Sequence, residues 1–387
     1  MQNIPRNVGN VISLLQKNGH KAYIVGGCVR DMLLGRTPCD YDVTTSATPE
    51  EIMSIFRTTI PTGIKHGTVT VMYCGEPIEV TTFRTDGEYQ DNRRPKEVSF
   101  VRNIKDDLSR RDFTVNAMAY NKREGIIDLF GGKEDLKKRT LRAVGNPQER
   151  FSEDALRILR LFRFSSVLNF KIEENTLASA LKLSPSLEKI SVERIAAELK
   201  KAVSGKNLSA IAPLIDCGAL EFLNITKIPD FEILKALRDN NNLAFFTFLY
   251  LSSFDLTATA ERLKSSNKFK NYCVCLTELF NMKMPQTKYE IKKCLNKYSP
   301  EIFEDYLTLY HLFNKTNTTL QKELLAEILT LNEPYLISHL KLGGKDLIAL
   351  GIEGENIKPT LQFLLERVLQ NPKANDEKIL KTFIEIP

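Results

Sequence analysis

Hydrophobic positions in this chain follow mixed periods over the first ~140 residues and an almost purely helical period afterwards. Val8, Val11, Ile12 and Leu15 recur at helical spacing among polar residues, which predicts a helix from about Pro5 to Gly19. Glycine suits the left-handed turn that follows a helix. The apolar run Lys21–Val25 predicts a strand, and Cys28–Leu34 a short helix stopped by Gly35. Thr48-Pro49-Glu50-Glu51 reads as a helix start, with Thr as N-cap, Pro in the first position and Glu in the third. Thr68–Tyr73 and Ile78–Phe83 predict a hairpin closed around Cys74-Gly75-Glu76-Pro77. Arg84–Lys96 is polar, carries both signs of charge and reads as a loop.

From about Leu141 strand signals nearly vanish. Leu156, Leu159, Leu161 and Phe162 place an apolar stripe on a helix, and helical patterns continue to the end. Breaks fall near Ser184-Pro185-Ser186, Ser204-Gly205-Lys206-Asn207, Asp239–Asn242 and Ser299-Pro300. No repeat of fixed period and no low-complexity segment is visible. The pattern predicts an α/β head followed by an all-helical remainder.

Composition adds bounds. A chain of 387 residues has room for two to four structural units. With 42% hydrophobic and 26% charged residues it has ordinary globular composition. A net charge of +6 is mildly basic, compatible with a polyanionic partner without demanding one. The seven cysteines are scattered and form no Cys-x-x-Cys pair, so neither a disulfide framework nor a zinc site is supported. They read as reduced, mostly buried thiols of a cytoplasmic protein. No signal peptide and no membrane-spanning apolar run is expected.

The chemistry concentrates in four places. Gly26-Gly27 follows a strand and lets backbone N–H groups approach an anion, with Arg30 and Asp31 just beyond. Asp40 and Asp42, two apart in Cys39-Asp40-Tyr41-Asp42-Val43-Thr44, would share one face if that segment is a strand. Paired carboxylates beside a phosphate cradle suit a divalent metal bridging to a triphosphate. Either motif alone is commonplace, a turn or a solvated strand end. Glu79, between apolar neighbours on the second hairpin strand, offers a third carboxylate; its plain reading is a surface position. Arg110-Arg111-Asp112 offers guanidinium forks for phosphate and an acceptor for ribose hydroxyls, or else a helix cap with solvated arginines. Asp154 and Arg157, three apart on a predicted helix, form either an intrahelical salt bridge or a side-by-side acceptor and donor set. Such a set would accept the amino-bearing edges of cytosine and adenine and disfavour guanine and uracil.

Together these elements resemble the class II tRNA nucleotidyltransferases of the bacterial CCA-adding type. The matching residues are Gly26-Gly27 with Arg30-Asp31, Asp40-x-Asp42, Glu79, Arg111-Asp112-Phe113-Thr114, Asp128-Leu129-Phe130-Gly131-Gly132 and Glu153-Asp154-x-x-Arg157. The helix Glu193-Arg194-Ile195-Ala196-Ala197-Glu198-Leu199 is a further match. The resemblance is specific over residues 1–205 and thinner beyond, where Gly343-Gly344-Lys345-Asp346-Leu347 and Leu350-Gly351-Ile352 look similar. It implies a polymerase-β-like head over 1–140, a helical neck over 141–205, a body over 206–300 and a tail over 301–387.

It also implies untemplated addition of C, C and A to the tRNA 3′ end from CTP and ATP. Mg²⁺ would be held by Asp40 and Asp42, with Glu79 completing the catalytic carboxylates. Gly26, Gly27, Arg30 and Arg111 would hold the triphosphate, and Asp112 the ribose. Asp154 and Arg157 would read the base, with Arg160 beside them. The implied partners are tRNA and the two nucleotides, with no membrane and no protein partner. Lys292, Lys293 and Lys345 are expected to meet tRNA phosphates. Glu88–Pro95 resembles the flexible loop that CCA-adding members keep and CC-only members lack. The chain ends at Pro387 without the longer basic extension often found in bacterial poly(A) polymerases, and none of its four histidines precedes an Asp, as the HD phosphohydrolase motif requires. Poly(A) polymerase and A-only addition stay open as alternatives. A non-catalytic RNA-binding protein is a third, against which the three carboxylates argue.

Overall fold

The computed structural model describes residues 4–87, 89–90, 94–95, 98–352 and 354–384. The chain divides into two compact units, Met1–Ser265 and Ser266–Pro387.

In the first unit, α1 (Arg6–Lys17) buries Val8, Val11, Ile12 and Leu15, the stripe that the spacing predicts. Then come β1 (Ala22–Val25), α2 (Gly27–Leu33), β2 (Val43–Thr45), α3 (Pro49–Ile55), β3 (Thr59–Gly63), β4 (Thr68–Tyr73) and β5 (Glu76–Thr82). The start of α3 is a complete capping box: Thr48 accepts from the Glu51 N–H, and the Glu51 carboxylate accepts from the Thr48 N–H. Cys74 and Gly75 close the β4–β5 hairpin with φ of 53° and 82°, a two-residue turn matched to strand twist. Beyond it lie α4 (Ile104–Ser109), β6 (Met118–Asn121), β7 (Gly125–Asp128) and α5 (Gly132–Lys138).

Among the described residues the main sheet has seven strands, in the order β7-β6-β1-β2-β5-β4-β3. Its β2–β5 pair is parallel, setting Val43 against Val80. Every residue of β1 and β2 is buried, so these two form the spine of the head.

Asp40 and Asp42 are not in a strand; they lie in the irregular segment that leads into β2. The reason is the burial of β2 itself: a carboxylate inside so buried a strand would lose its hydration without a partner.

The helical remainder of this unit begins with α6 (Pro147–Glu153), α7 (Leu156–Leu168), α8 (Glu174–Leu183) and α9 (Val192–Ala202). Two features depart from the expected pattern. Asp154 breaks what reads as one helix, standing extended at φ −138°, ψ 103° between α6 and α7. Thr140–Leu141 also pairs in parallel with Lys171–Ile172, strands too short to carry a period.

The second unit is helical over its described residues, and Leu342, Leu347, Leu364, Val368 and Leu380 lie in one of its cores. Among the described residues no helix is long and apolar enough to cross a membrane. All seven cysteines are free; Cys28, Cys273 and Cys294 are buried and Cys275 partly so, but Cys39, Cys74 and Cys217 are exposed, fewer buried than expected.

Candidate active site

Asp40, Asp42 and Glu79 line one cavity of about 560 Å³, together with Pro5, Asn7 and Thr70. The topology brings them there. The Val25 N–H donates to the Asp42 carbonyl at 3.0 Å, fastening the approach to β2 against the end of β1. On β5, Ile78 and Val80 are buried while Glu79 is exposed on the opposite face, as alternation requires. Crowding by protein raises the Asp42 carboxyl above its ordinary range; the charges of Asp40 and Glu79 add to this, and Arg111 opposes it.

Oxygen-only donors with an excess of negative charge suit a hard divalent cation. Among the described residues no group of three His, Cys, Asp or Glu side chains is already closed to metal-holding distance. An arriving cation would have to draw these carboxylates together.

The side expected to meet phosphate is built on Gly26. Its φ is +82°, and a Cβ there would meet Arg111 Nη1 at 2.9 Å. Gly27, the first residue of α2, is less constrained, since its Cβ would meet Arg30 Nη2 at an ordinary 3.6 Å. Arg30 forks onto Asp31 through Nε (3.0 Å) and Nη2 (2.8 Å), and its Nη1 donates to Asn116 Oδ1 at 2.7 Å. Arg111 reaches Asp107 only at 3.5 Å, and its Nε is buried without a hydrogen-bond partner. The other end of the same guanidinium, Nη1, lies beside Gly26, where its charge would meet an anion seated on that turn. Asp107 is fully buried on α4; burial pushes its carboxyl up, but Arg110 and Arg111 outweigh this and hold it below the ordinary range.

Asp112 is also buried and fully engaged. Its Oδ1 accepts from the Phe113 N–H (2.8 Å) and Asn116 Nδ2 (3.1 Å), and its Oδ2 from Arg160 Nε (2.8 Å) and Nη2 (2.6 Å). It is therefore neither a helix cap nor an open acceptor. Phe164, one turn beyond Arg160, lies beneath three guanidinium groups, those of Arg30, Arg160 and Arg163.

The side chains of Asp154 and Arg157 bridge to other partners, not to each other; the Arg157 N–H donates to the Asp154 carbonyl at 2.9 Å where α7 begins. Asp154 accepts from the Leu156 N–H (3.0 Å) and from Arg194 Nη2 on α9 (3.3 Å). Arg157, buried on the first turn of α7, binds Glu153 (2.5 Å) and the carbonyls of Arg150 (3.0 Å) and Arg110 (2.9 Å). The intrahelical bridge weighed from sequence is thus not formed. Asn116, Phe164 and Arg194 acquire their parts here through long-range packing. Asp107 had a local signal, its spacing of three and four from Arg110 and Arg111.

The expectation for Lys292 is corrected. It is buried, and its Nζ pairs with Glu333 at 3.1 Å, so it has no exposed charge to offer a phosphate. Lys293 and Lys345 are exposed. Of the Glu88–Pro95 segment, Glu88, Asp91, Asn92 and Arg93 lie outside the described residues.

Residues 22–142 match the Poly A polymerase head domain, and residues 169–233 a domain described as the probable RNA and SrmB-binding site of polymerase A. The fold and the head-domain match, together with the relatives below, define a nucleotidyltransferase with a polymerase-type head. The chain is 38% identical over 386 residues to the CCA-adding enzyme of Oceanobacillus iheyensis, covering 97% of this chain and 95% of that one. It is 40% identical to the CCA-adding enzyme of Staphylococcus haemolyticus, covering 95% and 94%. The crystal structure of the Bacillus stearothermophilus CCA-adding enzyme in complex with CTP matches with a TM-score of 0.83 at 30% identity, over 99% of this chain and 97% of that one. The chain belongs to the family of bacterial CCA-adding enzymes. Its reaction is nucleotidyl transfer that builds the CCA end, chemistry for which nucleotidyltransferases use a divalent metal.

Proposed function

We propose that one site on this chain takes CTP and ATP in turn and adds C, C and A to the 3′ end of tRNA, with Asp40, Asp42 and Glu79 as the catalytic carboxylates. The observation that carries this reading is the convergence of those three side chains on one cavity. Magnesium held by Asp40 and Asp42 would supply the charge that lowers the pKa of the attacking 3′-hydroxyl and stabilises departing pyrophosphate. Gly26 lets the chain approach the triphosphate closely, while Arg30 and Arg111 neutralise it, the latter from its place beside Gly26. Gly27 continues the turn into α2. Asp112 and Arg160 flank the ribose as a fixed pair. Asp154 accepts from the amino group of cytosine or adenine, and Arg157 donates to the ring acceptors, each exchanging a present partner for the base.

The division into head 1–140, neck 141–205, body 206–300 and tail 301–387 belongs to the same reading, with body and tail holding tRNA and Lys293 and Lys345 among their phosphate contacts. Work in the cytoplasm fits the seven free thiols. Purified protein given tRNA ending at the discriminator base, at C, or at CC, with each labelled nucleotide in turn, tests the whole assignment. Ordered incorporation of C, C and A supports it; incorporation of A alone, or of A in long runs, would replace it by A-only addition or poly(A) synthesis. Loss of both CTP and ATP incorporation in Asp42→Ala is expected if the two nucleotides share one metal site.

A further inference from the structure

Asn116 is buried between two groups of the proposed nucleotide site. Its Oδ1 accepts from Arg30 Nη1 at 2.7 Å, and its Nδ2 donates to Asp112 Oδ1 at 3.1 Å. Arg30 sits on α2 of the head. Asp112 is locked to Arg160 on α7, and Phe164 of the same helix lies 5.3 Å from the Arg30 guanidinium and 5.4 Å from that of Arg160. A primary amide brings an acceptor and a donor to one position. A carboxylate there would lose the donor and repel Asp112; a hydrocarbon would lose both contacts.

We propose that Asn116 is a positioning residue for nucleotidyl transfer, its amide joining Arg30 on the triphosphate side to the Asp112–Arg160 pair on the neck side. The proposal rests on the nucleotide site proposed above. It assigns Asn116 no contact with substrate. The bridge holds Arg30 in one place whichever base is presented, so its loss affects CTP and ATP alike and leaves the choice between bases untouched.

The test compares wild type with Asn116→Asp, Asn116→Ser and Arg30→Ala, using tRNA lacking its CCA end, and follows kcat and KM for CTP and ATP, preference over UTP, and thermal unfolding. Both Asn116 variants should raise KM for CTP and ATP together by about tenfold or more, the scale of a lost hydrogen bond to a charged group. Preference for CTP over UTP should stay. Asn116→Asp carries a second signature: two carboxylates facing each other come to share a proton, so its deficit should narrow as the pH is lowered, while that of Asn116→Ser should not. An unchanged KM in Asn116→Ser, or losses that follow the unfolding temperature with no pH dependence in Asn116→Asp, would overturn the proposal. Should Asn116→Asp not fold, Asn116→Ser decides alone. Arg30→Ala separates the two levels of inference. An unchanged KM there removes the role of Arg30 in the nucleotide site; a raised KM there with normal Asn116 variants removes only the bridge.

Discussion

Arg160 turns both Nε and Nη2 onto a single oxygen of Asp112, Oδ2, at 2.8 and 2.6 Å. Burial by itself would raise that carboxyl, but the charge of Arg160, its hydrogen bonds and those of Asn116 and Phe113 lower it from 3.8 to about 2. A carboxyl lowered on folding stabilises the protein above its unfolded value, and that contribution drains away as the pH falls through the folded value. Acidifying from about pH 4 to about pH 2 should therefore cost the wild type about 2 kcal/mol that Asp112→Asn does not lose. Urea unfolding across that range measures it, and parallel losses in both proteins would show that the pair contributes nothing to acid stability.

The two glycines should respond unequally to alanine. Gly26→Ala places a Cβ at φ +82° and against Arg111, at a cost of about 1–3 kcal/mol from backbone strain. It should also raise KM for CTP and ATP by displacing that arginine. Gly27→Ala meets only ordinary contacts and should stay within about 0.5 kcal/mol of wild type. Equal effects from the two substitutions, by thermal unfolding and nucleotide KM, would contradict the steric account.

Asp154→Ala should have two separable consequences. Losing the acceptor for the Leu156 N–H, a turn contact just ahead of α7, costs about 1 kcal/mol of stability. Losing the acceptor for the base amino group should cost about one to two decades of preference for CTP over UTP. Values of kcat/KM for all four nucleotides read the second effect. Lower stability with wild-type preference would reduce Asp154 to a structural partner of the Leu156 N–H and Arg194.

Lys292 and its exposed neighbours should diverge in salt titrations. Lys292→Met leaves Glu333 with Lys288, so stability should fall by at most about 3 kcal/mol while tRNA affinity keeps its salt dependence. Lys293→Ala or Lys345→Ala should each flatten the plot of log affinity against log salt by about one unit, the effect of one lost phosphate contact. A changed slope in Lys292→Met alone would reverse the assignment.

Features carried by neighbouring residues were legible in the sequence. The α1 stripe at Val8, Val11, Ile12 and Leu15, the capping box at Thr48 and Glu51, and the β4–β5 hairpin all rest on contacts within a few residues or one turn, so spacing alone encodes them. The exposed face of Glu79 is equally local, since alternation along a strand fixes it. The segment around Asp40 and Asp42 read as a strand because its pattern could not report that β2 is buried along its whole length.

The sequence by itself determined the inventory: an α/β head, a helical remainder, and the arginines and carboxylates of the proposed site. Tertiary structure decided which charge meets which. Arg30 and Asn116 are 86 positions apart, Asp112 and Arg160 are 48 apart, and Asp154 and Arg194 are 40 apart. Pairings at such separations depend on how helices pack against the sheet and each other, information that no local period carries. The same holds for burial. A lysine on a helix face looks alike in sequence whether it stays at the surface beside Tyr289 and Glu366, as Lys293 does, or ends inside the protein against Glu333, as Lys292 does, because desolvation belongs to the surroundings rather than to the residue.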